Sequence, residues 1–134
     1  MANKNKDVKM CILIRDDLRN IKGEKPKKGK IIAQACHSVL GFIWDNLKGK
    51  KISFELSEEQ LQWVHTGQTK IALKVKDEKE LLLIWQTAKD AGLSAELIVD
   101  AGRTEFAGET KTCLSIGPNF SEKIDFITGG LSLY

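Results

Sequence analysis

Met10-Cys11-Ile12-Leu13-Ile14 is five apolar residues with no polar break. A strand open to water on one face alternates, whereas an unbroken run suits a strand covered on both faces. The flanking sequence supplies the covering layers. Lys70–Val75, Glu96–Val99 and Thr112–Ile116 read as three further strands, and helical patterns lie between them. Lys30 to about Leu47 reads as one helix. Ser57-Glu58-Glu59-Gln60 is a capping box, with Leu56 and Leu61 at the staple positions, opening a helix that ends near Thr66-Gly67. Asp77 to Glu80 opens another, running to Ala91 and stopped by Gly92. Ser121 caps a last helix ended by Gly129-Gly130. Strands alternating with helices predict an α/β layered fold, with the first and third strands parallel and buried. Sites in such folds gather beyond the carboxyl ends of the strands. Two segments fall there, Arg15 to Lys30 and Asp100 to Thr104.

The 134 residues make one domain, without internal repeat or long linker. Charged residues at 29% and hydrophobic residues at 42% exclude a disordered or low-complexity chain. No window approaches the roughly 18 consecutive apolar residues of a membrane span. The polar stretch Met1 to Asp7 lacks the apolar core of a signal peptide, so a cytoplasmic protein is expected. Three cysteines, Cys11, Cys36 and Cys113, fit buried, reduced thiols rather than a disulfide framework. The net charge of +3 hides an asymmetry. Residues 1–51 carry 13 Lys/Arg against 5 Asp/Glu, and residues 52–134 carry 8 against 13. The densest run is Lys22, Lys25, Lys27, Lys28 and Lys30, which is either a solvated loop or the phosphate-binding face for a polyanion.

On a helical wheel Ile32, Cys36, Val39, Leu40, Ile43 and Leu47 form an apolar stripe. Lys30, Gln34, His37 and Gly41 form a row nearly opposite, either a solvent face or a site. Gly41 costs about 1 kcal/mol in a helix interior, which points to a close approach there. The Asp100-Ala101-Gly102-Arg103-Thr104 turn places a carboxylate directly after a strand, as a turn former or as a catalytic group. Several chemistries are missing. There is no Gly-x-Ser-x-Gly elbow and no Gly-x-Gly-x-x-Gly. Gly23 to Ile31 has the wrong spacing for a P-loop. His37 and His65 lack metal-ligand spacing, so no metal is expected. Trp44, Trp63 and Trp85 read as core residues rather than stacking platforms.

Three stretches together are recognisable. They are Lys28-Gly29-Lys30-Ile31-Ile32-Ala33-Gln34-Ala35-Cys36-His37, then Val99-Asp100-Ala101-Gly102-Arg103-Thr104-Glu105-Phe106-Ala107 with Thr112-Cys113-Leu114-Ser115-Ile116-Gly117-Pro118, and the ending Ile127 to Tyr134. In order and spacing the chain from about residue 9 to 134 resembles the type 2 peptidyl-tRNA hydrolases. The resemblance implies a three-layer α/β/α sandwich around a four-stranded mixed, largely parallel sheet. It follows a tail of residues 1–8 and fills a single domain over 9–134. It implies a homodimer, tRNA as partner, no membrane, and no metal or organic cofactor. It places the family's functional residues on Lys30, Gln34, Asp100, Thr104 and Thr112, with His37 in a supporting role. Lys22, Lys25, Lys27, Lys28 and Arg103 are then the expected tRNA contacts. The implied reaction is hydrolysis of the ester between a peptide and the 3′-terminal ribose of tRNA, which recycles tRNA from aborted translation. Asp100 would orient or deprotonate the water, and Lys30 would stabilise the oxyanion or a phosphate. Gln34 would bind the ester carbonyl or the peptide amide. Two features differ from the family pattern: the loop from Asn20 to Lys28 is longer and richer in lysine, and Gln34-Ala35-Cys36-His37 displaces the cysteine by one position. The second argues against a thiol nucleophile. A catalytically idle RNA- or protein-binding module on the same scaffold, and a hydrolase of some other acyl ester, are the alternatives.

Overall fold

A computed structural model describes residues 6–46 and 55–134. Its strands are β1 (Val8–Arg15), β2 (Lys70–Val75), β3 (Ala95–Asp100) and β4 (Thr110–Phe120). Its helices are α1 (Lys28–Val39), α2 (Gly41–Asp45), α3 (Glu58–His65), α4 (Glu78–Asp90) and α5 (Ser121–Thr128). One sheet forms in the order β2-β1-β4-β3. The apolar run around Ile12 occupies an interior position, paired with β2 on one edge and β4 on the other.

Alternate residues of β1 serve opposite layers, as the pleat requires. Cys11 and Leu13 join Leu73, Val75, Leu114 and Ile116 against Leu81 and Ala88 of α4 and Ile124 of α5. Ile12 and Ile14 join Ile98 and Cys113 beneath Ile31 and Ala35 of α1. Val8 and Met10 pack with Phe42, Trp63 and Phe120. The result is an α/β/α sandwich. Because both faces of β1 are covered, no polar residue interrupts its centre.

Two expectations about the sheet change. Only the β1–β2 pairing is parallel, and β4 runs antiparallel to both β1 and β3. β3 passes to β4 through the short loop 101–109, which permits only an antiparallel return, whereas helices separate β1 from β2. β1 and β3 therefore point the same way without touching. β3 is an edge strand, buried only at Ile98, and not a buried core strand. The other edge, β2, is closed by the chain end: Lys74 N–H donates to Ser132 C=O and Tyr134 N–H to Ala72 C=O, both at 3.0 Å. That protects an otherwise open ladder.

The helix starts follow the sequence closely. Ser57 and Gln60 form the reciprocal capping box on α3, and Asp77 accepts the Glu80 N–H at the start of α4. Ser121 differs: it is the first residue of α5, and its side chain caps nothing.

The expected helix from Lys30 to about Leu47 is divided. α1 ends at Val39, Leu40 caps it, and α2 begins at Gly41, while Leu47 lies outside the described residues. Gly41 explains the division. A Cβ there would fall 2.1 Å from the Glu96 Cβ on β3, so only glycine lets α2 cross the edge strand. The close approach is to the fold itself, not to a ligand.

The rotation of α1 also differs from the wheel. Its sheet-facing side is Ile31, Gln34, Ala35 and Ser38, with Gln34 and Ser38 buried. Ile32 (62% exposed), Leu40 and Cys36 of the expected core stripe face outward, so Cys36 is not a buried thiol. Ser38 Oγ donates to Ala35 C=O, and Ser115 Oγ donates to Ser38 C=O. Hydrogen bonds from β4 thus hold a polar helix face against the sheet. Trp63 is core, its Nε1 donating to Thr69 C=O, and Trp85 is half-buried. Trp44, on α2 beyond the bend, is 51% exposed and not a core residue.

Candidate active site

The polar side of α1 and the end of β3 meet. Lys30 Nζ donates to Asp100 Oδ1 at 2.6 Å and to Thr104 Oγ1 at 3.1 Å. Gln34 Nε2 donates to the same Oδ1 at 3.2 Å. Asp100 Oδ2 accepts the Gly102 N–H at 2.8 Å. The Thr112 hydroxyl donates to Gln34 Oε1. All five residues expected from the motifs therefore form one connected cluster.

A β-bulge places Thr112. Ile98 pairs with Cys113 but Val99 pairs with Lys111, so β4 carries one extra residue there. Bulges re-aim side chains. Here Thr112 meets the Gln34 side chain while Cys113 Sγ donates to the Gln34 C=O at 3.3 Å. Adjacent strand residues thus both grip one residue of α1. Gly102 shapes the turn: its φ of +79° is left-handed, and a Cβ would fall 2.5 Å from the Gly108 carbonyl carbon.

Counting donors and acceptors limits what each group does. The Gln34 amide spends its carbonyl on Thr112 and one N–H on Asp100, and the residue is buried. It holds the carboxylate in place and is not turned outward toward an ester. Lys30 has three donors; Asp100 and Thr104 take two, leaving one. Thr104 accepts from Lys30, so its own proton is free to donate. Asp100 Oδ1 takes two hydrogen bonds and Oδ2 takes one, leaving an acceptor position on Oδ2.

The Asp100 side chain is 9% exposed and that of Lys30 is 18% exposed. Burial alone raises the Asp100 carboxyl. The Lys30 ammonium, the Gly102 N–H and the Gln34 amide outweigh it and hold the group below the usual carboxylate range. Burial pushes the Cys113 thiol up to about 11, which leaves it inert as a nucleophile.

His37 stands apart. It is exposed and makes no hydrogen bond to the cluster; its charged neighbour is Glu96, which burial and Asp45 push upward and His37 pulls down. The lysine-rich loop does reach the site. Ile21 N–H donates to Glu105 C=O at 2.8 Å. A cavity of about 250 Å³ lies between them, walled by Lys22, Lys25, Lys27, Thr104 and Glu105 among others. Lys25 and Lys28 also border a separate 510 Å³ groove with Ile31, Ile32 and Tyr134. Arg103 is exposed on the turn. Glu105 and Phe106 stand in the recognised motif, but the residue pattern gave them no role. The signal for an acid was present, because Pro26-Lys27-Lys28 begins a helix with no capping side chain of its own. Among the described residues, no three His, Cys, Asp or Glu side chains come together to hold a metal.

This is an α/β/α sandwich with a lysine–aspartate centre at the carboxyl end of β3, and its fold alone is similar to that of a protein of unknown function from Agrobacterium tumefaciens. That structure has a TM-score of 0.57 at 14% identity, covering 96% of this chain and 98% of the other. Residues 8–134 match the family described as peptidyl-tRNA hydrolase PTH2, and the chain belongs to that family, whose members are hydrolases acting on ester bonds. A peptidyl-tRNA hydrolase of Methanothermobacter thermautotrophicus is 41% identical over 94% of this chain and 99% of its own. The Sulfolobus acidocaldarius peptidyl-tRNA hydrolase is 40% identical with the same coverage. The human protein named peptidyl-tRNA hydrolase 2, mitochondrial, is 38% identical over 96% of this chain and 65% of its own.

Proposed function

We propose that the chain hydrolyses the ester joining a peptide, or an N-blocked amino acid, to the 3′-terminal ribose of tRNA, by metal-independent attack of water. The observation that carries this reading is the 2.6 Å contact between Lys30 and Asp100, residues 70 positions apart, beside a lysine-rich loop. Water bound at the open position on Asp100 Oδ2 attacks the ester carbonyl. The free N–H of Lys30 and the Thr104 hydroxyl are placed to stabilise the oxyanion. Asp100 accepts the proton from water and returns it to the departing ribose oxygen. Gln34 and Thr112 keep the carboxylate oriented. The same ionised pair favours an active enzyme over an idle binding module, because it is an ordered acid–base centre rather than a bare basic surface.

Lys22, Lys25 and Lys27, which wall the cavity beside Thr104, together with Lys28 and Arg103, contact tRNA phosphates, which serves an enzyme accepting every tRNA. Replacing Lys25, Lys27 and Lys28 with alanine weakens tRNA binding and flattens its dependence on salt by about one unit of logarithmic slope per lost contact. Filter binding over a salt series measures it, and an unchanged slope removes the loop from the tRNA interface.

A homodimer is part of the proposal. Ile32 on α1, Leu40 at the bend and Trp44 on α2 expose apolar surface that a second copy would cover. In sedimentation, wild type should run at the mass of two chains and Leu40→Asp at one; a wild-type monomer refutes the assignment. The buried free thiols Cys11 and Cys113 suit the reducing cytoplasm as the place of action.

A further inference from the structure

The turn bearing Asp100 holds the start of α1 at more points than the ion pair. α1 begins behind Pro26 and Lys27 with no capping side chain and no acid in its first turn. A helix start of this kind leaves N–H groups without partners unless another segment supplies an acceptor. Glu105 supplies it from across the cleft: its two carboxylate oxygens lie 3.3 and 3.2 Å from the Lys27 nitrogen. The backbone carbonyl of the same residue accepts the Ile21 N–H, fixing the loop that leads into the helix. On either side, Thr104 accepts from Lys30, and the ring of buried Phe106 lies 5.7 Å from Lys30 Nζ. Three consecutive residues thus grip one turn of helix.

We propose that Glu105 is a positioning residue: its carboxylate caps α1 in trans and thereby sets Lys30 and Gln34 against Asp100. The inference rests on the proposed hydrolase reading, but its geometry is testable without turnover. A negative group at a helix start is favoured by the helix dipole as well as by hydrogen bonding. Without the cap, Lys27 N–H loses its acceptor and the helix start loosens. Lys30 lies one turn further on, so the Lys30–Asp100 contact lengthens. Asp100, whose facing groups are Lys30, Gln34 and the Gly102 N–H, with no other charged partner in hydrogen-bond reach among the described residues, then titrates higher.

The test compares four variants. Glu105→Ala removes the acceptor and Glu105→Gln keeps one. Lys27→Pro removes the donor at a residue whose φ of −61° proline adopts, and Lys27→Ala removes the same side chain but keeps the N–H. Carbon-13 NMR follows the Asp100 carboxyl, and release of tRNA from an N-acetylated aminoacyl-tRNA gives kcat and KM. Glu105→Ala and Lys27→Pro should raise the Asp100 midpoint by about one pH unit. Glu105→Ala should also lower kcat about 10- to 100-fold with KM little changed. Glu105→Gln should retain the wild-type midpoint and most of kcat, and Lys27→Ala, read by the carboxyl midpoint alone, should retain the wild-type midpoint. A cap that served stability alone would lower the melting temperature and leave the midpoint in place. Unchanged midpoints in both Glu105→Ala and Lys27→Pro overturn the inference. If Glu105→Ala does not fold, Lys27→Pro against Lys27→Ala decides alone. Midpoint shifts in these variants, with a wild type that releases no tRNA, support the cap and sink the hydrolase reading instead.

Discussion

Asp100→Asn should lower turnover of an N-acetylated aminoacyl-tRNA by about 100- to 10,000-fold, the range for losing a general base or the group that orients the water. The substitution keeps the shape of the side chain and removes its charge. The open acceptor on Oδ2 becomes poorer or is replaced by an N–H, and the proton from water has no destination. Lys30 also loses the anion that it meets at 2.6 Å. Affinity for tRNA should change far less, because the proposed phosphate contacts lie on the loop and not on the carboxylate. Single-turnover release of tRNA, with melting temperature recorded alongside, measures the effect. Near-normal release by a folded variant would end the proposed mechanism.

Lys30→Ala should cost about 100- to 1000-fold, the worth of one well-placed donor to an oxyanion, and should also move the pH profile. The direction follows from the carboxylate. Activity requires ionised Asp100, and Lys30 helps to hold its carboxyl below the usual carboxylate range, so the wild-type acid limb lies below that range. Without the ammonium, burial is opposed only by the Gly102 N–H and the Gln34 amide. The carboxyl rises, and the acid limb of kcat/KM moves toward neutral pH. The folding contribution has the same sign. A group whose folded value is depressed stabilises the native state above its unfolded value, and that stability is lost as pH falls through the folded value. Lys30→Ala should therefore flatten the acid dependence of the melting temperature. A profile that keeps its wild-type acid limb would show that Lys30 does not govern Asp100.

Much of this site is readable from residue order. Asp100-Ala101-Gly102-Arg103-Thr104 sits after a strand, and Lys30 and Gln34 are one helical turn apart, so their presence on one side of α1 follows from periodicity alone. Which side meets the sheet does not. The wheel favours Ile32, Cys36 and Leu40 as the buried row, since apolar area is the usual reason for a helix to pack. The structure buries Gln34 and Ser38 instead, because β4 offers Thr112 and Ser115 as partners. Those partners come from residues 77 and 78 positions away, beyond the reach of any local pattern. The same applies to Glu105 and to the bulge at Thr112: one depends on a contact with the start of α1 and the other on a strand pairing, not on neighbours in the chain. His37 shows the converse error. It shares the wheel row with Lys30 and Gln34, yet the turn of the helix carries it beyond the cluster to Glu96.

The residues alone determine the layered fold, the covered central strand, the capped starts of α3 and α4, and the set of polar groups available for chemistry. These are local properties, decided by propensity, periodicity and backbone hydrogen bonding within a few residues. Tertiary structure alone decides that β4 enters antiparallel between β1 and β3, which face of α1 is buried, and that one carboxylate meets an ammonium, an amide and a backbone N–H together. Those outcomes rest on long-range pairing, where a buried polar group must find its partner wherever the chain brings one, and no window of sequence contains both halves.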